Sequence, residues 1–330
     1  MTLAVPPTAP LAPVAGRLTW RSALRRLIPA NRKARVGLAI IAGYVLVAAV
    51  GPWIVQSPMA LSPTALTGAV LQPPSGAHPL GTTQDGTDVL AQLVVGTRTS
   101  LLVGALAAVV STTLSVAVGL IGGYYGGTID SVLGALTNVF LVLPGLPLVI
   151  ILAGYLRGRG GPFAVALVIG LTGWAWGARS KRVQTLSLRN RDFVLGARLL
   201  GESNLRIMLV EVLPNLLPVI SATLMLSLVT SILAVSGLDF LGIGDINTVS
   251  WGTMLYFAQQ RQAMVSGAWW WFVPPGVAIT VLGAAAGLVN FGIDELTNPR
   301  LRGARRKSVR KSMGKPGHKS VPKSVRKEAR

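Results

Sequence analysis

Six stretches of this 330-residue sequence, at 36–55, 101–123, 132–155, 160–178, 216–235 and 271–291, each run 19 to 24 residues without an Asp, Glu, Lys, Arg or His. A helix rises about 1.5 Å per residue, so about 20 apolar residues cross the roughly 30 Å hydrocarbon layer of a bilayer. Lipid offers the backbone no hydrogen-bond partner, so a spanning segment must satisfy its own N–H and C=O groups. The six stretches therefore predict an all-α membrane protein with six transmembrane helices. Pro144 and Pro147 in the third stretch, Pro218 in the fifth and Pro274 and Pro275 in the sixth are tolerable, because neighbouring helices re-satisfy freed backbone groups. Composition agrees: 51% of residues are hydrophobic and 13% charged, against about 25% charged in soluble domains. That deficit excludes an ordinary soluble enzyme, and the hydrophobicity excludes a disordered chain.

Charge sets the orientation. Of the 31 Lys and Arg, seven lie in residues 1–35, seven in 179–214 and thirteen from 293 onward, while only Arg98, Arg157, Arg159 and Arg261 fall on the other side of a six-span bundle. The positive-inside rule then places both termini in the cytoplasm. The expected organisation is a basic cytoplasmic segment at 1–35, a six-span domain at 36–302 and a basic, disordered cytoplasmic tail at 303–330. Residues 1–16 contain no Lys or Arg and are rich in Pro and Ala. They are expected to be disordered ahead of an uncleaved signal-anchor. The tail repeats Lys-Ser-Val at Lys307, Lys319 and Lys323. It is expected either to be passive or to be drawn to anionic membrane lipid. Segments 56–100 and 236–270 lie outside the cell in this scheme, the second as a structured cap or partly re-entrant helix.

Chemistry is sparse. The only Gly-Lys pair is Gly314–Lys315, followed by Pro316, so there is no Gly-rich phosphate loop of the Walker type. His78 and His318 are the two histidines, Cys is absent, and no span holds a carboxylate pair. No catalytic residue, metal ligand or cofactor site is assigned, and the chain is read as a non-enzyme. The ion-coupled carrier that usually buries a charge in a span is also disfavoured. Hydroxyls such as Ser111, Thr112, Ser115, Thr223, Ser227 and Thr230 pack helices closely or line a wet path. Residues of a substrate path are left unassigned.

The loop before the fifth span is the most informative cytoplasmic piece. Asp192 is expected to cap a helix at 193–200, Gly201 to end it in left-handed geometry, and Ser203 to cap a second helix at 204–213, with Pro214 before the next span. Phe193, Val194, Ala197 and Leu200 make this hairpin too apolar for a solvated loop. It either offers a helix to a partner's groove or braces the bundle. A nucleic-acid-reading helix-turn-helix fits poorly, because the segment is tethered to two spans.

The hairpin resembles the Glu-Ala-Ala coupling motif of ABC importer permeases, in which three further residues, a Gly and then Leu-Pro follow. Aligned on Gly201, that motif falls on Leu195, Gly196 and Ala197, with Leu213–Pro214 as its end. Leu195 stands where the motif has Glu, and Gly196 where it has the first Ala. The sequences His78-Pro-Leu-Gly-Thr-Thr-Gln-Asp-Gly-Thr-Asp-Val-Leu90, Gly122-Gly-Tyr-Tyr-Gly-Gly127, Phe240-Leu-Gly-Ile-Gly244, Ser250-Trp-Gly-Thr-Met254 and Asn298-Pro-Arg-Leu-Arg302 are similar to the second permease of dipeptide and oligopeptide importers, the DppC/OppC type. The resemblance covers roughly residues 30–302. It implies the type I importer permease fold with cytoplasmic coupling helices, in a bacterial cytoplasmic membrane. It implies half of a peptide translocation path, with nickel or another small solute as an alternative cargo, and a stand-alone carrier as a remote one. The partners it implies are a second homologous permease, two ATP-binding subunits or one fused, and an extracytoplasmic substrate-binding protein. ATP and Mg would be bound by the ATPases alone. The coupling residues it implies are Asp192, Phe193, Leu195, Gly196, Ala197, Leu200, Gly201, Leu205, Leu213 and Pro214.

Overall fold

The computed structural model describes residues 32–55, 68, 70–156 and 160–297, with side chains to residue 292. The N-terminal segment to residue 31, part of the first outer loop, Arg157, Arg159, the 298–302 motif and the tail lie outside the described residues. Among the described residues every regular element is a helix, and one helix or a bent pair covers most of each of the six charge-free stretches. Four helices are individually long and apolar enough to cross a membrane: α1 (Arg32–Ile54), α2 (Val89–Tyr125), α8 (Asn204–Phe240) and α10 (Trp269–Thr297). Two bent pairs bring the possible spans to six, namely α3 (Gly127–Val142) with α4 (Gly145–Tyr155), and α5 (Gly161–Thr172) with α6 (Trp174–Leu188). A short α7 (Asp192–Leu199) and an α9 (Trp251–Gln260) complete the set.

Several boundaries differ from the sequence expectation. α2 begins at Val89 rather than 101, because the Asp88 carboxylate accepts the Ala91 N–H at 2.9 Å and starts the helix there. The third stretch is not one straight helix: α3 and α4 meet at 89°. Pro144 is the cause. Its ring disfavours helical geometry at the preceding residue, and Leu143 accordingly has ψ 132°. The fourth stretch bends by 40° at Gly173, and α6 then continues ten residues past the predicted end at 178, to Leu188.

Pro214 does not separate a second hairpin helix from the fifth span. Residues Ile207–Val212 form a π-helical segment, and the Leu213 N–H bonds Met208 O five residues back. A proline inside a helix removes one N–H and crowds the carbonyl four residues earlier. Widening the turn just before Pro214 relieves that crowding, so the helix runs unbroken from Asn204 to Phe240. The Asn215 side-chain amide donates to Glu211 O at 2.7 Å.

Packing centres on α2, which lies against α1, α5, α6 and α8, while α10 lies against α1 and α8. Between apolar helices in lipid, close backbone approach supplies the attraction that the hydrophobic effect supplies in water. Gly119 and Gly123, four residues apart on α2, make that approach to α6: a Cβ on Gly119 would sit 2.7 Å from Ala178 O, and one on Gly123 2.6 Å from Thr185 Cβ. The Arg182 guanidinium of α6 forks onto Asp130 of α3, with Nη2 to Oδ2 at 2.6 Å. At the other end, α9 is capped by Ser250 and Thr253 in a capping box. Its fully buried Trp251 packs edge-on against Tyr44, whose hydroxyl donates to Ala278 O at 3.0 Å.

Candidate functional site

The hairpin α7–α8 has two faces. The inner face is built by Val194, Ala197, Ile207, Met208, Val212 and Leu216, buried against Leu120 and Tyr124 at the end of α2, with Phe193 and Leu213 packed at the edge. The Tyr124 hydroxyl donates to Asn204 Oδ1 at 3.0 Å, and the Arg198 guanidinium lies 5.1 Å over the Tyr124 ring. These contacts tie the hairpin to α2 as one body. The outer side carries four uncovered leucines among the exposed Asp192, Arg198 and Arg206: Leu195, Leu199, Leu200 and Leu205 are 44%, 90%, 77% and 61% exposed.

The turn between the helices is fixed by its own backbone. Gly201 has φ +76°, a region where an L side chain costs roughly 1–2 kcal/mol. The Gly201 N–H bonds Arg198 O at 3.0 Å and the Glu202 N–H bonds Ala197 O at 3.1 Å, the paired bonds of a Schellman end. The Ser203 hydroxyl then accepts the Arg206 N–H at 3.4 Å and starts α8. The turn and the Ser203 cap follow the sequence reading. Asp192 does not cap: Arg191 holds the cap position without a side-chain bond, and Asp192 lies exposed in the first turn.

The residues assigned to coupling thus divide. Ala197 and Pro214 are buried, and Phe193, Gly196 and Leu213 are half-buried, whereas Leu195, Leu200 and Leu205 look outward. Leu199, the most exposed of the four outward leucines, is not among the residues assigned from the sequence. Its signal was its spacing: it stands four residues after Leu195, which puts the two on one helical face.

A second feature was also missed. Lys181 is one of the seven Lys and Arg of 179–214 that set the cytoplasmic side by charge, yet it is 1% exposed. α6 continues as a helix and carries it between α2 and α8. There its ammonium donates to Ser115 Oγ and Thr223 Oγ1, both at 2.9 Å. It borders a cavity of about 240 Å³ lined also by Ser111, Thr112, Trp176, Leu226, Ser227 and Thr230. A charge count cannot see this, because it treats every Lys near a span end as wet.

Two family descriptions match the chain. Binding-protein-dependent transport system inner membrane component matches residues 115–303, and N-terminal TM domain of oligopeptide transport permease C matches residues 19–74. The dipeptide transport system permease protein DppC of Bacillus subtilis is 35% identical over 84% of this chain and 85% of its own length. The oligopeptide transport system permease protein OppC of Mycobacterium tuberculosis (strain H37Rv) is 34% identical over 72% and 81%. A putative peptide transport system permease protein of Brucella abortus is 33% identical over 92% and 99%.

Proposed function

The chain belongs to the family of binding-protein-dependent transport system inner membrane components, and on that premise we propose how it works within its transporter. It is a permease subunit of a peptide ABC transport system. Six spans, counting each bent pair once, form half of the translocation path, and a second, homologous permease forms the other half. Both termini and the α7–α8 hairpin face the cytoplasm, and α9 with the 70–88 segment faces out. Two ATP-binding subunits, or one fused, bind ATP and Mg, and one ATP-binding domain receives the hairpin. A binding protein delivers peptide from outside.

The observation that carries this reading is the uncovered leucine face of the hairpin, held rigidly to α2 by buried contacts behind it. Exposed leucines on a polar side of a membrane protein mark a docking surface. A push on that face moves the end of α2 as well as α8, because Tyr124, Val194 and Ile207 pack together. ATP-driven closure of the ATPases would thereby swing the spans between outward-open and inward-open arrangements.

The orientation is tested by thiol labelling, since the native chain has no Cys. Ala77 and Asn190 are exposed. With a membrane-impermeant maleimide on intact spheroplasts, Ala77→Cys is expected to label fully and Asn190→Cys only after lysis. Labelling of Asn190→Cys in intact spheroplasts would put the hairpin on the wrong side for an ATPase and would end this reading.

A further inference from the structure

We infer that the cavity beside Lys181 is a carboxylate-binding station on the translocation path, taking the C-terminal carboxylate of a passing peptide. The inference rests on the peptide-permease reading and names the chemistry of one point along the path. An ammonium carries three donors. Two reach the Ser115 and Thr223 hydroxyls, which leaves one without a protein acceptor among the described residues. Nor does any carboxylate pair with Lys181 among the described residues. The Thr112 side chain borders the same cavity, and its hydroxyl is buried with no hydrogen-bond partner among the described residues.

Burying a charge without a counter-ion is costly, and two neutral hydroxyls offset little of that cost. A purely structural tie among α2, α6 and α8 would be made as well by a neutral amide. A cation without a counter-ion and an unpartnered hydroxyl on one cavity, lined also by Ser111, Ser227 and Thr230, suit an anion with two acceptor oxygens. One oxygen would take the free ammonium proton and the other the Thr112 hydroxyl proton. The carboxylate end of a peptide has that form, and without such a station its charge faces a large desolvation barrier in the bilayer plane.

Two variants separate this role from bracing. Lys181→Gln removes the charge and keeps hydrogen-bonding capacity. Thr112→Val removes a buried, unpartnered hydroxyl at nearly constant shape, which a structural role predicts to be neutral or stabilising. Both are assayed in the complete transporter, with uptake of alanyl-alanine and alanyl-alaninamide each expressed relative to wild type, so that preferences of the delivery protein cancel. Lys181→Gln is expected to lower alanyl-alanine uptake about tenfold or more and to leave the amide within twofold, and Thr112→Val to lower alanyl-alanine uptake severalfold. Equal losses for the two peptides, or no loss, would overturn the station.

A readout independent of transport uses Thr230→Cys as a reporter in the cavity. Negatively charged sulfonatoethyl methanethiosulfonate should react about tenfold faster, relative to the positively charged trimethylammonioethyl reagent, when Lys181 is present than in Lys181→Gln. An unchanged ratio would contradict an anion-attracting cavity. A wild-type complex that takes up neither peptide with ATP would instead overturn the peptide-permease reading, and the peptide as ligand with it.

Discussion

A chain carrying Leu199→Asp and Leu200→Asp will insert at normal abundance and pair with the second permease, but it will not retain the ATPase subunits and will take up less than about a tenth of the wild-type peptide. Both side chains are largely exposed, at 90% and 77%, so the isolated fold loses nothing by their replacement. In the docked complex proposed above, the same positions would enter an apolar groove. Burying a Leu is worth about 1.5–3 kcal/mol, and an unpaired carboxylate in its place costs several kcal/mol more. The two changes together exceed the roughly 1.4 kcal/mol that corresponds to a tenfold loss of affinity. Val194→Asp would be an uninformative variant, because Val194 is buried against α2 and its charge would damage the bundle itself. The check is ATPase co-purification and uptake at matched membrane abundance. Normal co-purification would mean that the leucine face meets something else.

The second large effect is on stability. Gly119→Val with Gly123→Val will lower the heat-denaturation midpoint of the solubilised permease pair by 10 °C or more, an order-of-magnitude figure that follows from forcing helices apart. A Cβ at Gly119 would lie 2.8 Å from Lys181 Cβ, and one at Gly123 2.9 Å from Arg182 O. Backbone cannot step aside as a side-chain tip can, so α2 and α6 must separate along their whole contact. Overpacking costs about 1–3 kcal/mol per site, and the two sites are a large share of the roughly 5–15 kcal/mol available. Gly134→Ala on α3 is the control. Its Cβ meets nothing within 4 Å, and better helix propensity should leave the midpoint unchanged or slightly raised. Equal midpoints for the double variant and the control would show that the α2–α6 approach is looser than described.

Where the helices lie was legible in the charge-free stretches, because a bilayer admits few other solutions. Where they begin and bend was less so. The start of α2 at Val89 was hidden by Gln92, Thr97 and Arg98, which make residues 89–100 look like loop, although Asp88 three residues before Ala91 is a cap signal. The bend at Pro144 was read as tolerable, yet proline acts on the residue before it, and Leu143 is where the helix stops. At the hairpin, Gly201 and Ser203 were legible because each serves a local backbone need. The split of Phe193 and Ala197 from Leu199 and Leu200 was not, since it depends on Leu120 and Tyr124 of a distant helix. Lys181 was invisible for the same reason. Its burial is created by Ser115 and Thr223, 66 and 42 residues away.

The central claim is that this chain moves peptide only as a subunit driven through its hairpin. Uptake of a labelled dipeptide into proteoliposomes measures it most directly, comparing the complete transporter supplied with binding protein, with and without ATP on the hairpin side, against the isolated chain. The account predicts accumulation by the complete transporter only with ATP, its abolition by Leu199→Asp with Leu200→Asp, and no accumulation or ATP hydrolysis by the chain alone. Dipeptide accumulation by the isolated chain without ATP would contradict it.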